Sequence, residues 1–309
     1  IDGLTTNGNR YGVNIDKGAK VTMENSEVLE DVVYESSNST AGSLTINGGT
    51  YGTVKVQGGS AQGTVAVENA TVNTVPNAAT GDNAATFSVV NSTITGTAPT
   101  AGSNSIMADC KDANGNALTD VAPAGQAVLV DGNAYASWDD AASHITANST
   151  ITLLADVSTA NTISLPEGVT LNGNDKKIEY TGTKTVDDKP QNGAFITANK
   201  GADNVTIKNV TIDASENIKH GVQFYCNDKG TLSGVTVNGG AYTSVMVNGA
   251  TNVTIEDCVL NPCSGAYANI EYGMGTGVTT IPTMTVDDVT VQNNKALIYV
   301  DQTTLNKMK

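Results

Sequence analysis

The side chains able to do chemistry in this chain are few and scattered. Three adjacent pairs, Asp139–Asp140, Asp187–Asp188 and Asp287–Asp288, come nearest to paired carboxylates. Hydrolysis of a glycoside needs two such groups at a defined separation. Eliminative cleavage of a polysaccharide needs a Brønsted base, such as Arg or Lys, beside carboxylates that hold Ca²⁺ or neutralise the substrate. Arg10 is the single arginine and stands in NGNRYG, which reads as a surface turn. Asp139–Asp140 falls on a predicted helix face, and Asp288 falls on a recurrent bend described below. Only Asp187–Asp188, in the loop segment TVDDKPQN (185–192), is left for catalysis, and no catalytic residue is assigned from it.

The remaining reactive types are equally isolated. His144 is expected at the end of the predicted helix, where a cation suits the dipole. His220 opens the strand-like segment HGVQFYC without a partner legible in the sequence. Cys110, Cys226, Cys258 and Cys263 show neither CxxC metal spacing nor a dense disulfide framework. Cys258 reads as a buried thiol, and Cys226 and Cys263 as too far apart for a bridge. No cofactor is expected; Ca²⁺ bound by dispersed aspartates has no EF-hand or RTX-type repeat to support it.

Composition narrows the function classes. Asp and Glu number 31 against 16 Lys and Arg, a net charge of −15. Nucleic acid is therefore excluded as a partner, because phosphate contacts need clustered cations. No apolar run approaches the roughly 18 residues that cross a bilayer, so membrane insertion is not expected. The chain opens on Ile1 with neither Met nor a signal peptide, which reads as part of a longer protein.

What organises the sequence is a repeat. NVTIKNVTI (204–212) shares a template with KVTMENSEV (20–28), SLTINGGTY (43–51), TVAVENATV (64–72), TFSVVNSTI (86–94) and NVTIEDCVL (252–260). Its central apolar residue recurs at Ile1, Met23, Ile46, Val67 and Val89, and again at Ile207, Leu232, Ile255 and Val286. Two positions later stand Gly3, Asn25, Gly48, Asn69, Asn91, Asn209, Gly234, Asp257 and Asp288. All are Gly, Asn or Asp, the residues that tolerate a left-handed backbone. Short strands with a sharp bend every ~22 residues predict a solenoid. In this reading Asn204 simply leads into a strand. The seven N-x-Ser/Thr sequons (Asn38, Asn69, Asn91, Asn148, Asn204, Asn209 and Asn252) are then a by-product of Asn bends beside Thr ladders.

The pattern resembles the right-handed parallel β-helix of the pectate-lyase-like superfamily. Asn25, Asn69, Asn91 and Asn209 match its asparagine ladder. Two stacks are expected, a β-helix module over 1–122 and a second over 123–309. The second would open with a capping helix near 134–146, where Tyr135, Trp138, Ala142 and Ile145 recur at helical spacing. That order, strand, cap helix, strand and then ISLPEGVTLNG, resembles β-helix modules of bacterial surface proteins.

A second strand set is visible in GVQFY (221–225), SVMVN (244–248), NIEYG (269–273) and ALIYV (296–300). Its outward column reads Gln223, Met246, Glu271 and Ile298, with Tyr225 at the edge. Enzymes of the superfamily carry their substrate on the equivalent sheet, so Gln223, Tyr225, Met246 and Glu271 are the candidate ligand-binding residues. Burial of this mixed column beneath the 180–193 loop is the competing reading. The expected function is a non-enzymatic bacterial surface or secreted module, adhesin-like, stalk or carbohydrate-binding, facing a glycan or host matrix. The alternative is a divergent polysaccharide lyase or glycoside hydrolase. An ice-binding face is disfavoured because Ala66, Ser88 and Val259 interrupt the Thr columns.

Overall fold

The computed structural model of the protein describes residues 1–6, 8, 11–35, 41–57, 62–76, 84–100, 105–274 and 278–307. Arg10 and Asn38 lie outside the described residues. Strand stacks on strand in parallel, one coil upon the next, so each part is a parallel β-helix. The chain divides into two compact units, Ile1–Gln126 with Asp131–Ala134, and Ala127–Val130 with Tyr135–Lys309.

Each coil of the first unit contributes two strands. Lys20–Glu24, Gly42–Asn47, Gln62–Glu68, Ala84–Val90 and Ser105–Ala108 form one sheet. Alternation points Met23, Ile46, Val67 and Val89 inward in register, where they are wholly buried. After the bend, Glu27–Tyr34, Thr50–Val56, Thr71–Thr74 and Thr93–Thr97 build the second sheet. The segment CKDANGNAL closes a hairpin through Gly115, at φ 85°, and an antiparallel bridge joins Met107 to Val121. That return covers backbone groups the last coil would leave unpaired. On the outer face, Asp131–Ala134 lies over Ala66 and Ser88. A β-carbon on Gly132 would come within 2.8 Å of Thr64 and Ala66.

The second unit has three strands per coil. Its first sheet stacks Thr150–Leu153, Thr170–Asn172, Thr206–Lys208, Thr231–Ser233, Val253–Glu256 and Met284–Asp287. The outward residues Thr150, Thr170, Thr206, Thr231, Thr254 and Thr285 are in register. The next outward positions hold Lys208, Ser233, Glu256 and Asp287, so the face is charged and mixed. A middle sheet follows the bend. The third stacks Ile163–Leu165, Gln191–Ala198, Ile218–Tyr225, Thr243–Asn248, Ala268–Gly273 and Ala296–Val300. The strand set read second in the sequence is therefore the third.

The predicted helix over 134–146 is shorter in the structure. Asn133–Tyr135 is a strand, and the helix, α1, runs Trp138–Ala142. Ser137 caps it, accepting the Asp140 N–H at 3.1 Å and donating to the Asp140 carboxylate at 2.7 Å. Trp138 and Ala141, rather than Ala142, are its buried residues, and both join the core of the second unit. His144 lies beyond the helix, stacked on Tyr135 at 4.8 Å between ring centres. Asp139 is occupied by Thr159, whose hydroxyl donates at 2.7 Å.

The nine bend residues all have φ between 45° and 72°. Every turn but the last, at Asp288, is also tied to the next coil, as where the Asn209 N–H donates to Ser233 O at 3.1 Å and the Gly234 N–H to Glu256 O at 3.1 Å. Side chains extend the ladder: Asn91 Nδ2 donates to Asn69 Oδ1 at 2.7 Å, and Asn69 Nδ2 to Asn47 Oδ1 at 2.8 Å. Asn204 does more than lead into a strand. With φ of 56° it belongs to a second left-handed column with Asn148, Gly168, Lys229 and Asn252. Both asparagines of NVTIKNVTI are therefore bends, at the two ends of one strand.

Just inside the first bend column sit small polar side chains that donate back two residues. Ser26, Ser92, Cys110 and Cys258 donate to the carbonyls of Glu24, Val90, Ala108 and Glu256. Burial pushes the Cys110 thiol up to about 12 and the Cys258 thiol up to about 11. All four cysteines are free thiols.

Candidate functional site

The third sheet of the second unit carries the residues that could meet a ligand. Along Ile218–Tyr225, alternation sends Lys219, Gln223 and Tyr225 outward while Val222 and Phe224 enter the core. Register places Gln223 beside Met246, Met246 beside Glu271 and Glu271 beside Tyr299. Ile298 does not belong to this column. It pairs with the inward Ile270, and its exposure comes from its place in the last described coil. Tyr225 pairs with Asn248, two residues further along the sheet.

Gln223, Met246 and Glu271 are half-buried. Gln223 Nε2 rests against Met246 Sδ at 3.4 Å. The loop around Asp187 is tied to a corner of the coil: Lys184 Nζ pairs with Glu216 at 2.9 Å, and Asn217 Nδ2 donates to Gly182 O at 2.9 Å. Asp187 and Asp188 are exposed on it. Lys184 Nζ lies 3.9 Å from Asp188 Oδ1 as well, and no catalytic role is assigned to these carboxylates. Nor do the described residues contain a cluster of three or more His, Cys, Asp or Glu side chains able to hold a metal.

The feature the sequence reading missed is an aromatic stripe: Tyr242 and Tyr267 stand just before their strands, and Tyr299 lies within Ala296–Val300. Tyr242, Tyr267 and Tyr299 are each 40–45% exposed. Their rings follow one another at 5.8 Å and 5.1 Å between centres. Lys219 Nζ lies 5.2 Å from the Tyr242 ring centre, a cation–π distance. Beneath Tyr242, His220 packs edge-on at 6.1 Å and shares a 2.7 Å hydrogen bond between Nδ1 and Thr243 Oγ1. The signal was present as GAYT (240–243) and GAYA (265–268), one coil apart. Backbone bonds from Tyr242 N–H to Lys219 O and from Tyr267 N–H to Tyr242 O put these residues in line.

Glu271 links the stripe to the predicted column. The Tyr267 hydroxyl donates to Glu271 Oε2 at 2.5 Å. Burial pushes the Glu271 carboxyl above its ordinary range, and the Asp301 charge adds to this against the opposing Tyr267 hydrogen bond and Lys219 charge. The Tyr267 phenol is pushed well up, by burial first and then by the hydrogen bond and charge of Glu271. A proton-abstracting base needs a pKa near the working pH. Tyr267 is shifted the wrong way for that work and is suited to hold a ligand as a neutral ring and hydroxyl.

No protein-family model matches the chain, and no curated protein matches it. Among solved structures, it is similar to the A-modules of two mannuronan C-5 epimerases of Azotobacter vinelandii, AlgE6 and AlgE4. The likeness spans 92% of this chain in both cases and 90% and 91% of theirs, at 10% identity and TM-scores of 0.28 and 0.25. At those values the likeness assigns no residue of this face a role. No helix among the described residues is long and apolar enough to cross a membrane.

Proposed function

We propose that the second unit is a glycan-binding module of an extracellular or surface-displayed bacterial protein. The observation that carries this reading is the stripe of three half-exposed tyrosines, one per coil, flanked by Lys219 and Glu271. The rings, tilted 49° and 66° to one another, offer faces and edges to sugar C–H groups, while adjacent polar groups fix orientation by hydrogen bonds. Exposed aromatics in a row leave a stable fold no benefit in solubility, which favours a binding role. The test is affinity electrophoresis and calorimetry against a panel of soluble polysaccharides. Tyr267→Ala should weaken binding about tenfold or more, the scale of one aromatic anchor. Unchanged affinity in Tyr242→Ala and Tyr267→Ala alike would overturn the proposal.

A carbohydrate-active enzyme is the second reading, favoured by the half-buried Glu271 carboxyl beside Tyr267 on the same face, which burial holds above its ordinary range. It requires turnover: new reducing ends, unsaturated products or altered sugar stereochemistry, lost in Glu271→Gln. Binding without turnover across the panel would leave the binding module alone.

A further inference from the structure

At the far end of strand Ile218–Tyr225, about 20 Å from Lys219 at the usual rise per residue, the second unit holds a cavity of about 340 Å³. Tyr225, Asp203, Asn227, Asp228, Thr251 and Lys200 line it, with the Cys226 thiol in the wall. Asn227 is 4% exposed. Its Nδ2 donates to Ala202 O at 3.0 Å, which fixes the amide orientation, yet its Oδ1 is buried without a hydrogen-bond partner. An orphaned buried acceptor of this kind costs on the order of 1–3 kcal/mol and marks the wall beside the cavity as a strained polar spot, although the oxygen itself has no accessible surface.

We infer that this cavity is a subsite for a single neutral hexopyranose residue, held by its hydroxyl donors against Tyr225. The inference rests on the glycan-binding reading and supplies it with a chain-end pocket. The lining offers acceptors in the carboxylates of Asp203 and Asp228, Asp203 Oδ1 already accepting the Asp228 N–H at 2.8 Å. Hydrogen bonds from Asn252 Nδ2 at 2.7 Å and Thr251 Oγ1 at 2.8 Å hold Asp228 below the usual carboxylate range. Two carboxylates repel an anionic sugar, and Lys200 in the wall opposes a divalent cation. Neutral vicinal hydroxyls match acceptors and one cationic donor together, and the Tyr225 ring offers a face for the sugar's C–H bonds. The volume accommodates one such ring.

The probes are methyl α-D-mannopyranoside, methyl α-D-glucopyranoside and methyl α-D-galactopyranoside, with calcium chloride as the rival ligand. Saturation-transfer NMR on the intact chain should show at least one glycoside binding. Tyr225→Ala should weaken it about tenfold. In the unaltered protein, the bound glycoside should slow alkylation of Cys226 and not of Cys263, a readout that needs no variant. The inference falls if no glycoside binds or protects Cys226, or if Ca²⁺ occupies the cavity to the exclusion of the glycosides. Loss of polysaccharide binding in Tyr267→Ala with no glycoside effect at Cys226 would sink the subsite and leave the stripe standing.

Discussion

Lowering the pH from 7 towards 4 should weaken the second unit through His220. The imidazole is 5% exposed, bonded through Nδ1 to the wholly buried Thr243 and packed under the Tyr242 ring. Burial, and secondly the neighbouring Lys219 charge, push it down from 6.5 to about 4. The unfolded chain takes up the proton near 6.5, whereas the folded chain resists until about 4. Neutral His220 therefore contributes stability that is fully present above pH 6.5 and is lost as the pH falls through 4. The gap corresponds to about 3 kcal/mol. Acidic residues also titrate at the low end of this window, so the measurement is a difference. Denaturant midpoints at pH 7, 5.5 and 4 are compared between the unaltered chain and His220→Gln, which cannot titrate. The variant should lose less stability than the unaltered chain over that range, and the imidazole resonance should titrate near 4. Equal pH slopes in the two proteins, or titration near 6.5, would refute the buried neutral assignment.

Three further outcomes follow from the scaffold. Asn209→Val should destabilise the protein by about 1–3 kcal/mol because a β-branched residue is strained at φ 50°, whereas Asn209→Gly should be far milder; equal thermal midpoints would remove the bend assignment. Ser92→Ala strips the acceptor that receives the Ala70 N–H at 3.2 Å and should cost about 1–3 kcal/mol in chemical denaturation. Ser92→Cys should be better tolerated, since Cys110 and Cys258 make the same backward bond. In the folded protein at pH 8, iodoacetamide should modify Cys226 and Cys263 well before Cys110 and Cys258, whose thiols are buried and pushed up to about 12 and 11; peptide mapping reads the order.

The scaffold was legible in the sequence because its requirements are local. A left-handed bend selects Gly, Asn or Asp at one position, and strand alternation repeats every second residue, so both leave a mark at each coil. Lateral order was harder. Asn204 was hidden because its neighbour Asn209 explained the motif alone, although both have positive φ. Ile298 was placed outward by a one-residue slip, and such a slip moves a side chain to the opposite face of a sheet. The structure puts Tyr299 there instead.

The sequence by itself therefore determined the coil, its bends and its inward columns, since each follows from the steric and apolar demands of single residues. Tertiary structure alone decided what the coils bring side by side. Tyr242, Tyr267 and Tyr299 lie 25 and 32 positions apart in the chain, yet their rings are 5 to 6 Å apart. Backbone pairing sets Tyr267 beside Tyr242, whereas Tyr299 pairs with Glu271 and meets the Tyr267 ring from a different register position. Neighbourhood across coils is set by backbone pairing between distant segments, and no local pattern of residues encodes its outcome.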